Sequence, residues 1–273
     1  MLRQRVLVTV VLLPLGLWIF ALGGWIFAVA IAGVLALAAR ELAGLFRRGG
    51  LRPSAFLLVA GAAALVLARQ ARGFDDSAAL LAVLALAAMT WHVVDFERGA
   101  PHSGTDFVVT LGGVSYLGLV GAYLVSLRNL PDGLWWLLIS LPAVWIGDSA
   151  AYFVGRAYGR HKMAPRLSPK KSWEGYAAGI VGATLAGTGL AAFYTGVFHH
   201  QAPSVTVTAG LALGLVLGVL TPLGDVGISM MKREMQVKDT GTLLPGHGGA
   251  LDRIDSWLWA GVLGYYLALL LSV

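Results

Sequence analysis

The sequence contains no cysteine, few charges and only short charge runs. Without thiols it cannot form disulfides, thiolate zinc sites or iron–sulfur clusters, and it has no cysteine nucleophile. Charged residues make up only 12% of the 273 positions, apolar ones 58%, and the mean hydropathy is +0.76. That balance excludes an ordinary soluble domain, in which charges are about twice as frequent. The abundance of apolar residues also excludes intrinsic disorder. What remains is a series of long hydrophobic segments separated by short loops, the pattern of an all-α, polytopic integral membrane protein. Its formal charge is +6.

A spanning helix needs about 20 mostly apolar residues. Nine segments qualify, roughly 6–22, 24–40, 54–70, 77–94, 107–127, 133–154, 175–197, 206–228 and 254–273. The first also has the look of a cleavable signal peptide, with Ala21-Leu22-Gly23 as a poor cleavage site, but a second apolar run follows at once. Basic residues orient the set, because loops on the cytoplasmic side are enriched in Lys and Arg. With the N-terminus cytoplasmic, every Lys and Arg except Arg69, Arg72 and Arg128 falls on the cytoplasmic side. The N-terminal region, 1–130, then holds about five spans. The C-terminal region, 131–273, holds the rest and two basic cytoplasmic loops, 155–174 and 229–253. Those two loops carry half of all basic residues, along with much of the Pro, Gly, Ser and Thr. The basic excess suits topology, anionic lipid or a phosphate-bearing substrate, and no nucleic-acid partner is expected.

Most acidic residues are read as lying in loops; Asp148 and Asp225 are not. Each lies about seven residues before its basic shoulder, roughly 10 Å inside a helix end at 1.5 Å per residue. A carboxylate at membrane depth costs on the order of 2–3 kcal/mol even on lenient scales and usually marks a site. Ser229 and Lys232 follow Asp225 at i+4 and i+7, on one helical face. Thr221-Pro222-Leu223-Gly224, just before it, is expected to kink or break the helix. A carboxylate, a hydroxyl and an ammonium on one stripe suit Mg²⁺ together with a phosphate oxygen. The segment Gly246-His247-Gly248-Gly249-Ala250-Leu251-Asp252-Arg253-Ile254-Asp255 adds glycines that let backbone amides approach a ligand closely. Asp252 sits where it can cap the last helix, and Asp255 shares its face. The bland alternative is a tight turn with a cap and a topogenic arginine. In the earlier loop, Lys170-Lys171 stands before a helix start, where charge and helix dipole both suit phosphate; anchoring to anionic lipid is the alternative. Trp135-Trp136, Trp173 and Trp257-x-Trp259 are expected in interfacial belts.

These residues resemble the phosphatidate cytidylyltransferases, or CDP-diglyceride synthases. That family's motif reads Ser, two residues, Lys-Arg, four residues, Lys-Asp, a spacer, His-Gly-Gly, two residues, Asp-Arg, one residue, Asp. Here it is Ser229, Lys232-Arg233, Lys238-Asp239, His247-Gly248-Gly249, Asp252-Arg253 and Asp255, with every specified identity at the right spacing. Ser168-Pro169-Lys170-Lys171-Ser172-Trp173-Glu174-Gly175 resembles the family's earlier motif, with Ser172 where Thr is commoner. Ala250 stands where a larger aliphatic is usual. The motif resemblance spans about 145–257; the first hundred residues match only in being multispan.

The resemblance implies that CTP and phosphatidate give CDP-diacylglycerol and pyrophosphate with Mg²⁺, a second metal or a monovalent cation being an open addition. It implies Asp225 and Asp252 as metal ligands, with Ser229, Lys232 and Asp255 completing the shell or contacting phosphates. Lys170, Lys171, Arg233 and Arg253 would hold the triphosphate and the lipid phosphate. Lys238, His247, Gly248, Gly249 and Asp148 complete the substrate-binding set, with acid assistance or packing beside the glycines as alternatives for His247. A homodimer is implied by family only. The expected location is a cell (inner) membrane, with the site on the cytoplasmic side, and the Ala/Leu/Gly/Arg-rich usage is of a bacterial kind. Two competing readings remain: a CTP-dependent lipid-alcohol kinase, told apart by CDP as product, and an ion-coupled transporter using Asp148 and Asp225. The transporter gives no reason for the motif ending in Asp255.

Overall fold

The computed structural model describes residues 13–198, 204–241 and 248–272. Its helices are α1 (Leu13–Leu22), α2 (Gly24–Arg48), α3 (Ala55–Arg72), α4 (Ser77–Glu97), α5 (Ser103–Gly113) and α6 (Tyr123–Arg128), followed by α7 (Gly133–Tyr158), α8 (Trp173–Val197), α9 (Val207–Leu220), α10 (Pro222–Glu234) and α11 (Leu251–Leu271). A π-helical stretch, Val114–Val120, joins α5 towards α6, and a short antiparallel hairpin pairs β1 (Lys162–Ala164) with β2 (Ser168–Ser172). Among the described residues, eight helical stretches are long and apolar enough to cross a membrane, and they coincide with the second to ninth expected spans. The first expected span lies partly outside the described residues; its described part is α1. The protein is thus an all-α, multi-pass membrane protein.

Packing divides the chain into two compact units, Met1–Ser126 with Met231–Ile254, and Leu127–Met230 with Asp255–Val273. In the first unit, α2 and α3 form a hairpin around Phe27, Leu35, Leu42, Leu58 and Leu65, all almost completely buried. The Ser54 hydroxyl accepts the Leu57 N–H and starts α3, and Gly73, at φ +63°, ends it. Polar ties close the bundle. Asp106 accepts the Arg52 N–H at 2.6 Å, and Thr110 accepts the Ser54 N–H at 3.0 Å while its hydroxyl meets buried His92 at 2.9 Å. Arg69, one of the three basic residues counted on the non-cytoplasmic side, is buried: it donates to Ser126 and Ser77, and its guanidinium stands 3.6 Å from the Phe74 ring centre.

In the second unit, α8 packs against α7 and α9 through a stripe of small residues. Gly175, Gly179, Ala183, Gly187 and Ala191 recur every fourth position and are all buried. A Cβ on Gly187 would lie 2.5 Å from the Gly210 carbonyl oxygen, so the helix backbones touch where side chains would normally separate them. Helices in a bilayer associate by such close packing, because apolar surface gains little there from being buried. Trp136 corrects the belt expectation: it is fully buried, and its indole N–H donates to Ser204, which in turn donates to Asp132 at 2.6 Å. Trp173 does stand exposed.

Candidate active site

The expected break in the eighth span is real. α9 ends at Leu220, the Thr221 hydroxyl donates to the Leu217 carbonyl at 2.8 Å, and Pro222 opens α10, where its missing N–H is no loss. Asp225 therefore sits in the first turn of a new helix, near the positive end of its dipole. Lys171 Nζ lies 2.7 Å from Asp225 Oδ2 and also approaches the Pro222 carbonyl at 3.5 Å. The Ser229 hydroxyl, one turn on, donates to Asp225 Oδ1 at 3.4 Å. The carboxylates of Asp148 on α7 and Asp255 on α11 are within electrostatic reach of Asp225. A Cβ on Gly224 would meet the Asp255 carbonyl oxygen at 2.5 Å, so the start of α10 rests directly on the α11 backbone. Asp148 is exposed, whereas Asp255 is only 7% exposed and accepts the Ser256 N–H at 2.6 Å.

β2 delivers Lys171. The hairpin is anchored at its end by Ser172, which caps α8 by accepting the Gly175 N–H, and by Glu174, which accepts the Arg160 and His161 N–H groups. Along the strand, Lys170 is exposed while Lys171 is half-buried against Asp225.

The first unit holds a second carboxylate–ammonium pair. Lys232 Nζ lies 2.7 Å from Asp252 Oδ1, with the two side chains 12% and 11% exposed. Asp252 Oδ2 accepts the Thr240 N–H at 3.1 Å, the Thr240 hydroxyl at 2.9 Å and the Gly249 N–H at 3.2 Å. The carboxylate thus reaches back over the loop that precedes α11 as well as occupying that helix's first turn. Gly248, at φ +80°, needs glycine for its conformation, and a Cβ there would stand 3.2 Å from Asp252 Oδ2. Lys232 shares a helix face with Asp225 but takes its carboxylate from Asp252 instead.

One participant escaped the sequence reading. Glu41, placed there in a loop, lies inside α2, which runs on to Arg48. Its Oε2 accepts the Leu251 N–H at 2.9 Å and the Thr240 hydroxyl at 3.2 Å. An acidic residue one position beyond an apolar run was the only signal available, and its partners lie about two hundred positions away.

Among the other candidates, Lys170, Arg233, Lys238 and Arg253 are exposed, and His247 lies outside the described residues. Among the described residues, no three Asp, Glu or His side chains converge to hold a metal by themselves. A hard divalent ion that takes one or two carboxylates and draws its remaining donors from phosphate and water fits this set better than a protein-caged metal.

The helices define a multi-pass membrane protein, and each of its two compact units carries one aspartate–lysine pair. The family model described as "Cytidylyltransferase family" matches residues 3–271, and the chain belongs to that family. A phosphatidate cytidylyltransferase of Pseudomonas aeruginosa is 36% identical over 267 residues, covering 94% of this chain and 93% of its own. One of Synechocystis is 32% identical over 297 residues, covering 98% and 97%. One of Bacillus subtilis is 39% identical over 165 residues, covering 60% and 58%.

Proposed function

We infer that this enzyme is a phosphatidate cytidylyltransferase: CTP and phosphatidate give CDP-diacylglycerol and pyrophosphate. The observation that carries the reading is the complete motif from Ser229 to Asp255, in a chain whose relatives of that activity align along nearly its whole length. A phosphatidate phosphate oxygen attacks the α-phosphorus of CTP. The bond from that phosphorus to the α–β bridging oxygen breaks, and pyrophosphate leaves. The phosphate is already a competent nucleophile, so no hydroxyl–histidine pair is needed. The barrier is the approach of two anions, and lowering it requires fixed positive charge.

This chain supplies that charge in stages. Lys171 and Lys232, each paired with a carboxylate, are its less exposed part and would be drawn on by phosphate. Lys170 on β2, Arg233 on α10, Lys238 after it and Arg253 on α11 are exposed, suited to the triphosphate. Ser229 orients Asp225, and Gly248 and Gly249 let the backbone before α11 fold closely around Asp252, Thr240 and Glu41. Asp225 and Asp252 would hold Mg²⁺, with Asp255 and Asp148 adding negative charge beside Asp225 and a second or monovalent cation as an addition. The ion supplies charge neutralisation on the phosphates when bound. The basic loops favour a site on the cytoplasmic face of a cell membrane, where CTP arrives from water and the lipid enters sideways with its tails in the bilayer.

The test is pyrophosphate release by detergent-purified protein given CTP, Mg²⁺ and phosphatidate, with Asp225→Asn and Asp252→Asn alongside. Lipid-dependent pyrophosphate that collapses in both variants is expected. Release of CDP would transfer the case to the lipid-alcohol kinase, and folded protein that turns over no phosphatidate would refute the reading. A single cysteine placed at Pro169 in this cysteine-free chain should react with an impermeant maleimide only from the cytoplasmic side.

A further inference from the structure

We propose that Glu41 is a positioning residue for the reaction, which it serves by fixing the Asp252 carboxylate. The inference rests on the functional reading above for Asp252's part in the chemistry, while the contacts that carry it stand without that reading.

Glu41 projects from α2 onto the segments on either side of the Thr240–Leu251 stretch. Its Oε2 takes one bond from each side, from the Thr240 hydroxyl and from the Leu251 N–H in the first turn of α11. The groups flanking those donors hold Asp252 Oδ2, namely Thr240 by both its N–H and its hydroxyl, and Gly249 by its N–H. Thr240 carries a single hydroxyl proton, and both carboxylates lie within its reach, so Glu41 and Asp252 share one donor. Two glycines make room for the arrangement. A Cβ on Gly241 would lie 2.5 Å from Glu41 Oε1, and one on Gly249 would run into both Glu41 Oε2 and the Thr240 hydroxyl. Burial makes the contact consequential, since Thr240 is 1% and Leu251 0% exposed. A buried carboxylate is costly unless hydrogen bonds compensate it, and here Oε2 takes both bonds while Oε1 is buried without a hydrogen-bond partner among the described residues. With Glu41 removed, Thr240 and Leu251 lose their common acceptor; Asp252 keeps its bonds to Lys232, Thr240 and Gly249, but Thr240 is no longer tied through Glu41 to the start of α11.

Groups that orient a ligating side chain typically cost 10–100-fold in activity or metal affinity when removed. Glu41→Ala should therefore lower kcat about 10–100-fold with little change in KM for phosphatidate. Glu41→Gln, whose amide oxygen can accept both bonds, should recover most of the rate. The Glu41→Ala and Asp252→Asn effects should be strongly non-additive. An activity-independent readout uses the absence of cysteine. In an Ala250→Cys background, the buried thiol should resist maleimide when Glu41 is intact or carries Glu41→Gln, and should react once Glu41→Ala is added. Ala62→Cys in the α3 core should stay protected throughout, which reports an intact fold. Equal protection of position 250 with and without Glu41→Ala, or additive kinetic effects, would overturn the proposal. If the parent protein releases no pyrophosphate, the functional reading falls, and the labelling still decides whether Glu41 holds this loop.

Discussion

Replacing Lys232 with Met should cost more stability than removing any other basic charge of the second basic loop. The Lys232–Asp252 pair is 2.7 Å long, with its side chains 12% and 11% exposed. Removing one member of a buried pair typically costs about 3–5 kcal/mol, because the remaining charge is left uncompensated. Here Asp252 keeps three hydrogen bonds, from Thr240 twice and from Gly249, which brings the cost just below that range, to about 2–3 kcal/mol. At roughly 2–4 °C per kcal/mol for a chain of this size, the melting temperature should fall by about 5–10 °C. The double variant Lys232→Met/Asp252→Asn removes both charges and should recover several degrees, since a missing pair is cheaper than half of one. The assay is a thermal ramp followed by the fluorescence of the nine tryptophans, in one detergent and without nucleotide or lipid, because ligands shift the apparent melting point. If Lys232→Met melts within about 1 °C of the parent, or the double variant melts below the single one, the pair does not hold Asp252 as described.

Three further outcomes follow from the same geometry. Lys171→Met should leave the melting temperature almost unchanged, because its pair with Asp225 is 26% and 41% exposed and such pairs contribute about 0–1 kcal/mol; pyrophosphate release should nonetheless fall sharply. Gly249→Ala should destabilise by about 1–3 kcal/mol as its methyl meets Glu41 and Thr240, whereas Gly227→Ala, with nothing within 4 Å, should be neutral or stabilising in the same thermal ramp. Gly214→Val on α9 should separate the α8 and α9 backbones, since even a Cβ there meets the Ala183 carbonyl oxygen; lowered yield of folded protein on size exclusion checks it.

The spans were legible because each must satisfy its own backbone and present apolar side chains to lipid, which leaves a plain hydropathy signal. Their ends were not. Nothing in hydropathy says that a helix stops where it leaves the hydrocarbon, and α2 continues past Arg40 to Arg48, carrying Glu41 with it. The Pro222 break was legible because proline ends a hydrogen-bond ladder wherever it stands. The small-residue stripe on α8 went unread, since it has little hydropathy contrast with its surroundings. At the site, residue types and spacing gave the participants, but partners depend on tertiary placement. A helical stripe says that Asp225, Ser229 and Lys232 share a face; it cannot say that Lys232 will choose Asp252 and leave Asp225 to a lysine from the β-hairpin. Trp136 was misplaced for the same reason: an aromatic pair beside a span end reads as a membrane-interface anchor unless one knows that Ser204 waits for its N–H.

The β2 strand sets a rule of counting for this protein. Successive residues of a strand face opposite sides, so Lys170 meets water and Lys171 meets Asp225 only because Ser172 is fixed as the cap of α8. One residue inserted between Lys171 and Ser172 would turn Lys171 outward and leave Asp225 without its cation. Two would restore the side but displace the ammonium by about 6–7 Å along the strand. Added length should therefore be tolerated best in the turn between the strands, Pro165 to Leu167, where it disturbs neither the cap of α8 nor the spacing from Lys171 to Ser172.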